Sequence, residues 1–587
     1  MKQNITKIFF LAFITFFLGA CNNKEKDINK RKNLKQTIYY GGEIVTMEGK
    51  EASTVEAVVT ENDKITFTGK LTKAKKKYRN AKMYNLNGKT MFPGLIEQHL
   101  HPFLGALTLV MNVIAPEPWE LPTKTWKGIS TPKDYISTLT SIEKEMDDPT
   151  KILMTWGYHN NFHGEMNREI LDKISDVRPI LVWHRSCHEF YLNTPLMKKL
   201  GLDKKWLSNF NDDVKAQIDL NTGHFYEAGV IIALLPKIFP IIGTDELMEK
   251  GLKQMIEILH NNGVTAYNEP GAFILPSHLP IYKAILGANS TPMYSFFIPG
   301  SKRPFFQHKK EGDKAIIKAV EKITKIFPDT GKIRFFKNQI KILFDGAIVS
   351  QLMMMKDGYL DGHSGEWIQN PQEISDVFDI FWPLDYQIHV HVNGDKGLEE
   401  LLKVIERKMK EYPRKDHRTT IVHFANSNEE QVKRLAELGC IVSANPYYVT
   451  AFTDKYAKVG LGPERANAMV RLASVEKLGI PISLHSDLPI APANPLYLAW
   501  CATTRETLNG NHPRRDLALS LHQALRAITI DAAQSWRMEN ELGSIKVGKI
   551  ANFTIMNENP YKTGAEKLKN IKIWGTVFEG SIFPCKS

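Results

Sequence analysis

The middle of the chain alternates apolar, strand-like runs with amphipathic helical segments, and this alternation restricts the chain to few folds. The helical segments, for example 397–412 and 428–438, carry apolar residues at three- and four-residue spacing. They separate strand-like runs at 340–344, 388–392, 420–423, 440–443 and 482–485. Strands joined by helical crossovers form a parallel sheet, and the length of the region favours closure into a barrel. The sequence therefore predicts an α/β protein built on a distorted (β/α)8 TIM barrel over residues 93–544.

The two ends of the chain differ from the middle. Residues 37–92 contain short β-rich runs separated by glycine, asparagine and aspartate, and residues 545–587 have the same character. We predict that both ends together form one small β-sandwich. Residues 103–260 are too long for a single crossover, so they are predicted to form a large lobe inserted after the first barrel strand.

The overall composition excludes several classes of protein. A hydrophobic content of 43% and a charged content of 24% are typical of a folded globular chain. Five cysteines without any CxxC pair exclude a disulfide scaffold and an array of zinc fingers. The net charge is +12, but no contiguous basic stripe is interleaved with aromatic residues. We expect a small-molecule substrate and no nucleic-acid partner, and we leave a homo-oligomer open.

The first residues have the pattern of a targeting signal. A lysine-containing start precedes the apolar stretch 8–18, which is too short to span a bilayer as a mature helix. The stretch ends in Leu18-Gly19-Ala20-Cys21, which resembles the lipobox of bacterial lipoproteins. That resemblance implies a signal peptide at 1–20, lipid attachment to Cys21 and a polar tether at 21–36. The protein is then expected in the cell envelope of a bacterium, anchored to a membrane on the periplasmic or surface side. An ordinary signal peptide with an incidental cysteine is the alternative.

The strongest local signal is the segment 93–101, which ends in His99-Leu100-His101. On a strand, side chains two residues apart point to the same side, so both imidazoles could bind one ion. Neutral imidazoles suit zinc and similar divalent metals. An HxH pair alone is weak evidence, because two histidines can also lie on a half-buried strand without any ligand.

Three further residues strengthen the metal hypothesis. His391, His423 and Asp487 each stand where an apolar run gives way to loop residues. In a parallel barrel these positions lie on the carboxyl-terminal rim, where active sites are built. Several imidazoles and a carboxylate at successive rim positions are difficult to explain by packing or solvation.

With these residues in place, the sequence resembles the amidohydrolase superfamily, most closely its YtcJ-like branch, amidohydrolase family 3. The segments 40–47, 87–96 and 543–553 are similar to the opening strand of that branch, its approach to the HxH pair and its return from barrel to sandwich. The resemblance extends over nearly the whole chain. It implies a hydrolase that acts on non-peptide carbon–nitrogen bonds and uses one or two divalent ions, zinc above all.

The resemblance also implies roles for individual residues. Asp487 is the expected general base, and His423 or His391 is expected to steady the oxyanion when it is not fully committed to the metal. Lys341 stands where many members carry a carboxylated lysine that bridges two metals; a cationic lysine beside a single metal is the alternative. The implied metal ligands are His99, His101, Lys341, His391, His423 and Asp487.

The chain departs from the branch at several positions. An arginine common after the fourth strand is absent, Asn393 interrupts the usual Ala-Ile-Gly-Asp after His391, and His485 replaces the usual glycine before Asp487. These changes alter the surroundings of the site and give no ground for transferring a substrate.

Three more residues are candidates for substrate binding. They are His188, Glu227 and Asp345. A satisfied structural histidine is the alternative for His188, and a carboxylate that stabilises a helix start is the alternative for Glu227.

The most economical function is hydrolysis of an amide-like carbon–nitrogen bond in a small molecule by metal-activated hydroxide. A deaminase or a cyclic-imide hydrolase on the same metal centre is one alternative. A binding lipoprotein that kept the fold and lost the reaction is the other, although its expected sign, a missing ligand or base, is not found in the sequence.

Overall fold

The computed structural model describes residues 35–272 and 274–586 and contains both helices and strands throughout. The predicted signal peptide, Cys21 and nearly all of the tether lie outside these residues. The strands, in chain order, are β1 (Gln36–Val45), β2 (Thr54–Glu61), β3 (Lys64–Gly69), β4 (Lys82–Asn85), β5 (Thr90–Pro93), β6 (Leu95–Glu97), β7 (Asn112–Val113), β8 (Trp119–Glu120), β9 (Thr125–Trp126), β10 (Leu153–Tyr158), β11 (Ile180–His184), β12 (Glu189–Leu192), β13 (Ile218–Asp219), β14 (His224–Tyr226), β15 (Val264–Pro270), β16 (Tyr294–Ile298), β17 (Ile333–Phe335), β18 (Gln339–Leu343), β19 (Gln387–Val392), β20 (Thr420–His423), β21 (Ile441–Ala444), β22 (Ile482–Leu484), β23 (Phe553–Met556), β24 (Ile573–Phe578) and β25 (Ser581–Pro584).

The α-helices connect these strands. Their bounds are Leu71–Lys77, Pro102–Leu109, Pro132–Lys144, Asn160–His163, Arg168–Ile174, Thr194–Leu200, Lys204–Leu207, Asp212–Lys215, Leu235–Ile242, Asp245–Asn261, Leu279–Leu286, Lys302–His308, Asp313–Thr324, Pro371–Phe381, Asp395–Glu411, Glu429–Leu438, Tyr447–Tyr456, Pro463–Asn467, Leu472–Lys477, Pro495–Thr504, Leu521–Ala527, Ile530–Gln534 and Pro560–Thr563. Within the described part of the chain, no helix is long and apolar enough to cross a bilayer.

The predicted helices arise from local sequence signals. In Glu429–Leu438, the Asn428 side chain accepts a hydrogen bond from the Gln431 backbone, and the Gln431 side chain accepts one from Asn428. This capping box satisfies backbone donors that the first turn leaves free. Gly439 ends the helix in the left-handed conformation, with φ of 74°, which favours glycine.

Nine parallel strands form the middle of the molecule in two sheets. One sheet has the order β17-β16-β15-β6, and the other runs from β18 through β22. Lys341 joins them, because its backbone pairs with Gly300 beyond β16 and its amide donates to the Pro299 carbonyl at 2.9 Å. The expected α/β class is confirmed by this architecture.

The free edges of the two parallel sheets meet near their carboxyl ends. Beyond β22 and β6, the Asp487 amide donates to the His99 carbonyl at 2.9 Å, and the His101 amide donates to the Leu488 carbonyl at 3.1 Å. The Ser486 amide donates to the Glu97 carboxylate at 2.9 Å. These contacts bring the first and last parallel strands together although 389 positions separate Glu97 from Ser486.

Strands from both chain ends share one eight-stranded sheet. Its order is β25-β24-β23-β5-β1-β2-β3, with β4 also paired to β1. Strand β5 forms the junction, since it pairs in parallel with β1 and antiparallel with β23. A two-layered sandwich over the predicted boundaries stays a prediction.

A separate six-stranded sheet, β13-β14-β12-β11-β10-β7, lies in sequence between β6 and β15. Trp156 and Trp183 are almost fully buried in its core, and the same core includes Leu488, the residue after Asp487. This sheet therefore packs against the loop that carries the predicted general base. The lobe boundaries at 103–260 stay a prediction.

Candidate metal centre

The HxH pair lies just beyond the end of a strand. Strand β6 ends at Glu97, and His101 already caps the helix Pro102–Leu109 with an extended backbone. The prediction that both histidines lie on a strand is therefore wrong, because the strand ends before His99. Backbone hydrogen bonds to neighbouring segments nevertheless keep this stretch extended, and the two Nε2 atoms approach to 3.2 Å.

Asp487 completes a first group with these histidines. Its Oδ1 atom lies 3.4 Å from Nε2 of His99 and 3.3 Å from Nε2 of His101. His99 is almost fully buried, and the Asp487 side chain is 12% exposed. Three potential ligand atoms thus converge on one small volume at the carboxyl ends of the strands.

A second group contains His99, His423 and His485, whose ligand atoms lie within 4.8 Å of one another. Nε2 of His485 is 3.2 Å from Nδ1 of His423. From the sequence, His485 is expected only to alter the surroundings of the site. The signal for it was present in the sequence, since His485 follows an apolar run and precedes Asp487 by two residues.

These spacings fit a divalent cation. Donor atoms about 2.0–2.1 Å from a tetrahedral zinc ion are about 3.3 Å from one another. The separations of 3.2, 3.3 and 3.4 Å among His99, His101 and Asp487 match this edge length. Three donors of this chemistry at these distances form a set that could hold one ion.

The protonation states also suit metal binding at three of the histidines. Burial, followed by the charge of Lys341, lowers the pKa of His99 well below its usual value. Burial is also the largest cause of the lowered pKa values of His423 and His485. All three imidazoles are therefore neutral at neutral pH, the form in which imidazole binds metals.

His101 and Asp487 form the charged part of the site. Burial opposes charge on His101, but hydrogen bonds to Asp487 and Glu269 outweigh it and raise the pKa of His101 to about 9. Burial alone would raise the pKa of Asp487, yet the hydrogen bond from His101 holds it below its usual value. Asp487 is consequently a carboxylate at neutral pH.

Glu269 and Glu97 were missed by the sequence analysis. The Glu269 carboxylate lies 3.4 Å from Nδ1 of His101, on the far side of the ring from Asp487. Such a carboxylate orients a histidine ligand and fixes its tautomer. Glu97 is fully buried, and burial raises its pKa to about 8. Glu269 is the residue before the last one of β15. Its position near the end of a strand was the only sequence signal that could have identified it as a site residue.

The backbone at the site is unusual. His423 has φ of 78° and Asp487 has φ of 56°, although neither residue is glycine. The left-handed region is costly for residues with a side chain, and such conformations cluster at functional sites. In both residues the turn directs a polar side chain from the end of a strand into the cluster.

Lys341 and His391 lie beside the cluster, but neither belongs to the two groups found among the described residues. The Lys341 side chain is buried, and its Nζ atom has no hydrogen-bond partner within the described ranges. Burial lowers its pKa to about 7. His391 stacks edge-on against His423 with ring centres 4.3 Å apart. Whether either residue binds metal stays a prediction.

The three predicted substrate-binding residues have different surroundings. His188 is partly exposed, and its Nδ1 atom is 2.9 Å from the Glu227 carboxylate. Burial opposes charge on His188, but Glu227 outweighs it and raises the pKa of His188. Asp345 is completely buried, and its carboxylate accepts backbone hydrogen bonds from Met354, Asn393 and Gly394. These contacts give Asp345 a structural role, and its contact with substrate stays a prediction.

Comparison with known proteins agrees with this picture. Residues 82–583 match the family model described as "Amidohydrolase family". The chain therefore belongs to the amidohydrolase family, and the expectation of a hydrolase is confirmed at that level. It is 23% identical over 571 residues to the Bacillus subtilis protein named "Putative amidohydrolase YtcJ", covering 94% of this chain and 100% of that one. It is 21% identical over 555 residues to "N-substituted formamide deformylase" of Arthrobacter pascens, covering 90% and 94%.

Among solved structures, the fold is similar to that of an uncharacterized metal-dependent hydrolase from Pyrococcus horikoshii. The TM-score is 0.68 at 19% identity, with 90% of this chain and 98% of that chain covered. The related hydrolase from Pyrococcus furiosus gives 0.65 at 20% identity, covering 89% and 99%. These likenesses show a shared fold.

Proposed function

We propose that this chain is a metal-dependent amidohydrolase that cleaves a non-peptide carbon–nitrogen bond in a small molecule. The observation that carries the proposal is the convergence of His99, His101, His423 and Asp487, with donor spacings that suit one dication. Membership in the amidohydrolase family supports hydrolysis. The Arthrobacter relative is named for a formamide, which contains a bond of the proposed kind.

Each residue of the site has its own role in the proposed reaction. A divalent ion held there, zinc by preference and one or two in number, would polarise a substrate carbonyl and acidify water. Asp487 takes a proton from water and later delivers it to the leaving nitrogen, a role for which its ionised form is required. His423, whose Nδ1 lies 3.3 Å from the Tyr448 hydroxyl, helps to steady the developing oxyanion when it is not fully committed to the ion.

Lys341 is proposed as a carboxylated lysine. Its buried Nζ atom has no partner among the described residues, and its pKa of about 7 leaves much of it as neutral amine at neutral pH. A carbamate would add two oxygen ligands and remove a positive charge from beside the ion. Carbon-13 NMR of the folded protein prepared at neutral pH with ¹³C-bicarbonate would detect the carbamate carbon, and its absence would count against the modification.

Substrate is proposed to bind on the side of the site that carries His188 and Glu227. Their contact is partly exposed, and Asp487 contributes to the raised pKa of His188, so His188 is within electrostatic reach of the proposed base. A charged, hydrogen-bonded pair beside the reacting centre suits recognition of a polar group on the substrate.

The finer architecture is part of the same proposal. We infer that the two parallel sheets are parts of one distorted (β/α)8 barrel, that the sheet from both ends is a small β-sandwich, and that 103–260 form the inserted lobe. The edge contacts of Asp487 with His99 and of His101 with Leu488 support closure.

The protein is further proposed to be a lipoprotein of the bacterial cell envelope, anchored through Cys21. This rests on the residues around Cys21 in the sequence. Membrane fractionation of the full chain, with and without replacement of Cys21 by serine, checks the anchor; an unchanged distribution would contradict it.

The proposed base is tested by Asp487→Asn. We expect kcat to fall about 10²- to 10⁴-fold, because the amide cannot accept the proton. Amine release is measured from a panel of N-substituted formamides, N-acyl amines and cyclic imides, and ammonia release tests for a deaminase. Wild-type turnover by the variant on the best substrate would exclude Asp487 as the base.

The proposed metal centre is tested by His99→Ala. We expect this variant to lose most of its bound metal, measured by elemental mass spectrometry, because His99 belongs to both groups. His389→Gln is the matched control, since His389 is buried outside both groups and bonds Gln339 at 3.0 Å. Equal metal contents in the wild type and His99→Ala would contradict the site.

A further inference from the structure

We propose that His485 is a ligand of the metal and that it takes the place which the family resemblance gives to His391. The inference rests on the proposed metal dependence and goes further, since it assigns the donor set of this particular chain. This exchange of one histidine ligand for another explains both departures from the family pattern, Asn393 and His485.

The orientation of His485 follows from a chain of hydrogen bonds. Ser443 Oγ donates its only proton to Oε1 of Gln98, so it can only accept from Nδ1 of His485, 2.8 Å away. His485 must therefore carry its proton on Nδ1. Its Nε2 atom then presents a lone pair to Nδ1 of His423 at 3.2 Å.

The rest of this chain keeps Gln98 in the required orientation. Nε2 of Gln98 donates to Ser535 Oγ at 3.2 Å, and Ser535 Oγ donates to the Ala532 carbonyl at 2.7 Å. Since the Ser535 proton is used on that carbonyl, the amide nitrogen of Gln98 must face Ser535 and its oxygen must face Ser443. The network thus runs in one direction from the imidazole to a backbone carbonyl, as expected for a partner that orients a ligand.

The surroundings of His391 have the opposite effect. Nδ2 of Asn393 donates to Nε2 of His391 at 2.9 Å and also contacts the Gly346 carbonyl at 3.2 Å. The Asn393 backbone is held by Asp345 at 2.8 Å. The lone pair on Nε2 of His391 is therefore used within the protein, and an isoleucine, the commoner residue at position 393, could not make this bond.

The distances support the exchange of ligands. His485 and His423 approach at 3.2 Å, close to the edge of about 3.3 Å between two nitrogens on one tetrahedral ion. The ring centres of His485 and His99 are 4.8 Å apart. An imidazole that only filled space would need neither a fixed tautomer nor a lone pair aimed at another histidine.

The test is metal affinity, measured by competition with a chelator and elemental mass spectrometry on the wild type, His485→Gly and His391→Gly. We expect His485→Gly to bind Zn²⁺ at least ~100-fold more weakly, beyond the 10- to 100-fold effect of residues that only orient ligands. Added imidazole should restore most of that affinity by filling the vacated position. His391→Gly should stay within about tenfold of the wild type.

The outcomes separate the two proposals. Wild-type affinity in His485→Gly, or a larger loss in His391→Gly, would overturn the inference while leaving a metalloenzyme. A wild type that binds no metal would remove the proposed function as well. If His485→Gly fails to fold by circular dichroism, His485→Gln keeps a polar side chain beside Ser443, and X-ray absorption of the zinc-loaded wild type counts its imidazoles directly; fewer than three would contradict the proposal.

Discussion

At the scale of single residues, burial is the common cause that sets protonation in this protein. The same burial that keeps His99 and His485 neutral also makes a buried charge costly unless neighbouring groups offset that cost. Glu189 in the lobe is one example. It lies 3.0 Å from His224 and 3.5 Å from His184.

Glu189 gives a pH prediction. Burial opposes its charge, but His184 and His224 outweigh it and lower the pKa of Glu189 to about 2. A depressed acid pKa stabilises the fold fully above the unfolded value of about 4.5, and this stability is lost as pH falls through 2. The wild type should exceed Glu189→Gln in stability at pH 7 by on the order of 2 kcal/mol. Urea unfolding at pH 7, 5 and 3 measures the difference, and an advantage that grows toward acid would refute this account.

At the scale of elements, a few residues specify where a helix begins and ends, and the ends of the strands position the side chains of the candidate metal centre. The capping box of Glu429–Leu438 is local in sequence, and the helical period of 428–438 already predicted this helix nearly to the residue. The strand ends could not be predicted in the same way. The turns at His423 and Asp487 need a left-handed backbone conformation, and neither residue type predicts it.

The capping box supplies an element-scale prediction. Asn428→Ala should destabilise the helix by about 1 kcal/mol, because the Gln431 amide loses its acceptor. Asn428→Ser, which keeps an acceptor, is the matched control and should cost much less. Hydrogen exchange of a peptide spanning 428–438 checks this, and equal protection in all three proteins would show that the cap does not stabilise the helix.

At the scale of the whole molecule, the buried ion pair of Arg185 and Glu117 connects the six-stranded sheet to the loop that carries Asp487. Arg185 is completely buried, and its Nε atom is 2.8 Å from the Glu117 carboxylate. It also donates to the carbonyl oxygens of Pro489, at 3.1 Å, and Ile490. The guanidinium therefore connects the six-stranded sheet to the residues that follow Asp487.

This connection predicts a coupled loss of stability and activity. Arg185→Met should destabilise the protein by about 3–5 kcal/mol, since it leaves the Glu117 charge buried without its partner. The double variant Arg185→Met/Glu117→Leu should recover much of that stability but not kcat, because the carbonyls beyond Asp487 stay unheld. Thermal unfolding and steady-state kinetics separate the two effects, and full activity in the double variant would contradict a positioning role.

The sequence by itself determined the α/β class of the fold and predicted several of the polar residues that converge beyond the strand ends. Hydrophobic periodicity is local, so the alternation of strands and helices could be read from consecutive residues. His99 and His101 were recognisable by their two-residue spacing, and His423 and Asp487 because each stands where an apolar run stops.

Tertiary structure alone decided which of these groups meet. Glu269 reaches His101 across 168 positions, and His485 is oriented by Gln98 and Ser535 through contacts that span hundreds of residues. Arg185 donates hydrogen bonds to the carbonyl oxygens of Pro489 and Ile490, which lie 304 and 305 positions away in the sequence. No local pattern encodes such pairs, because they exist only after segments that are far apart in the sequence have packed against one another.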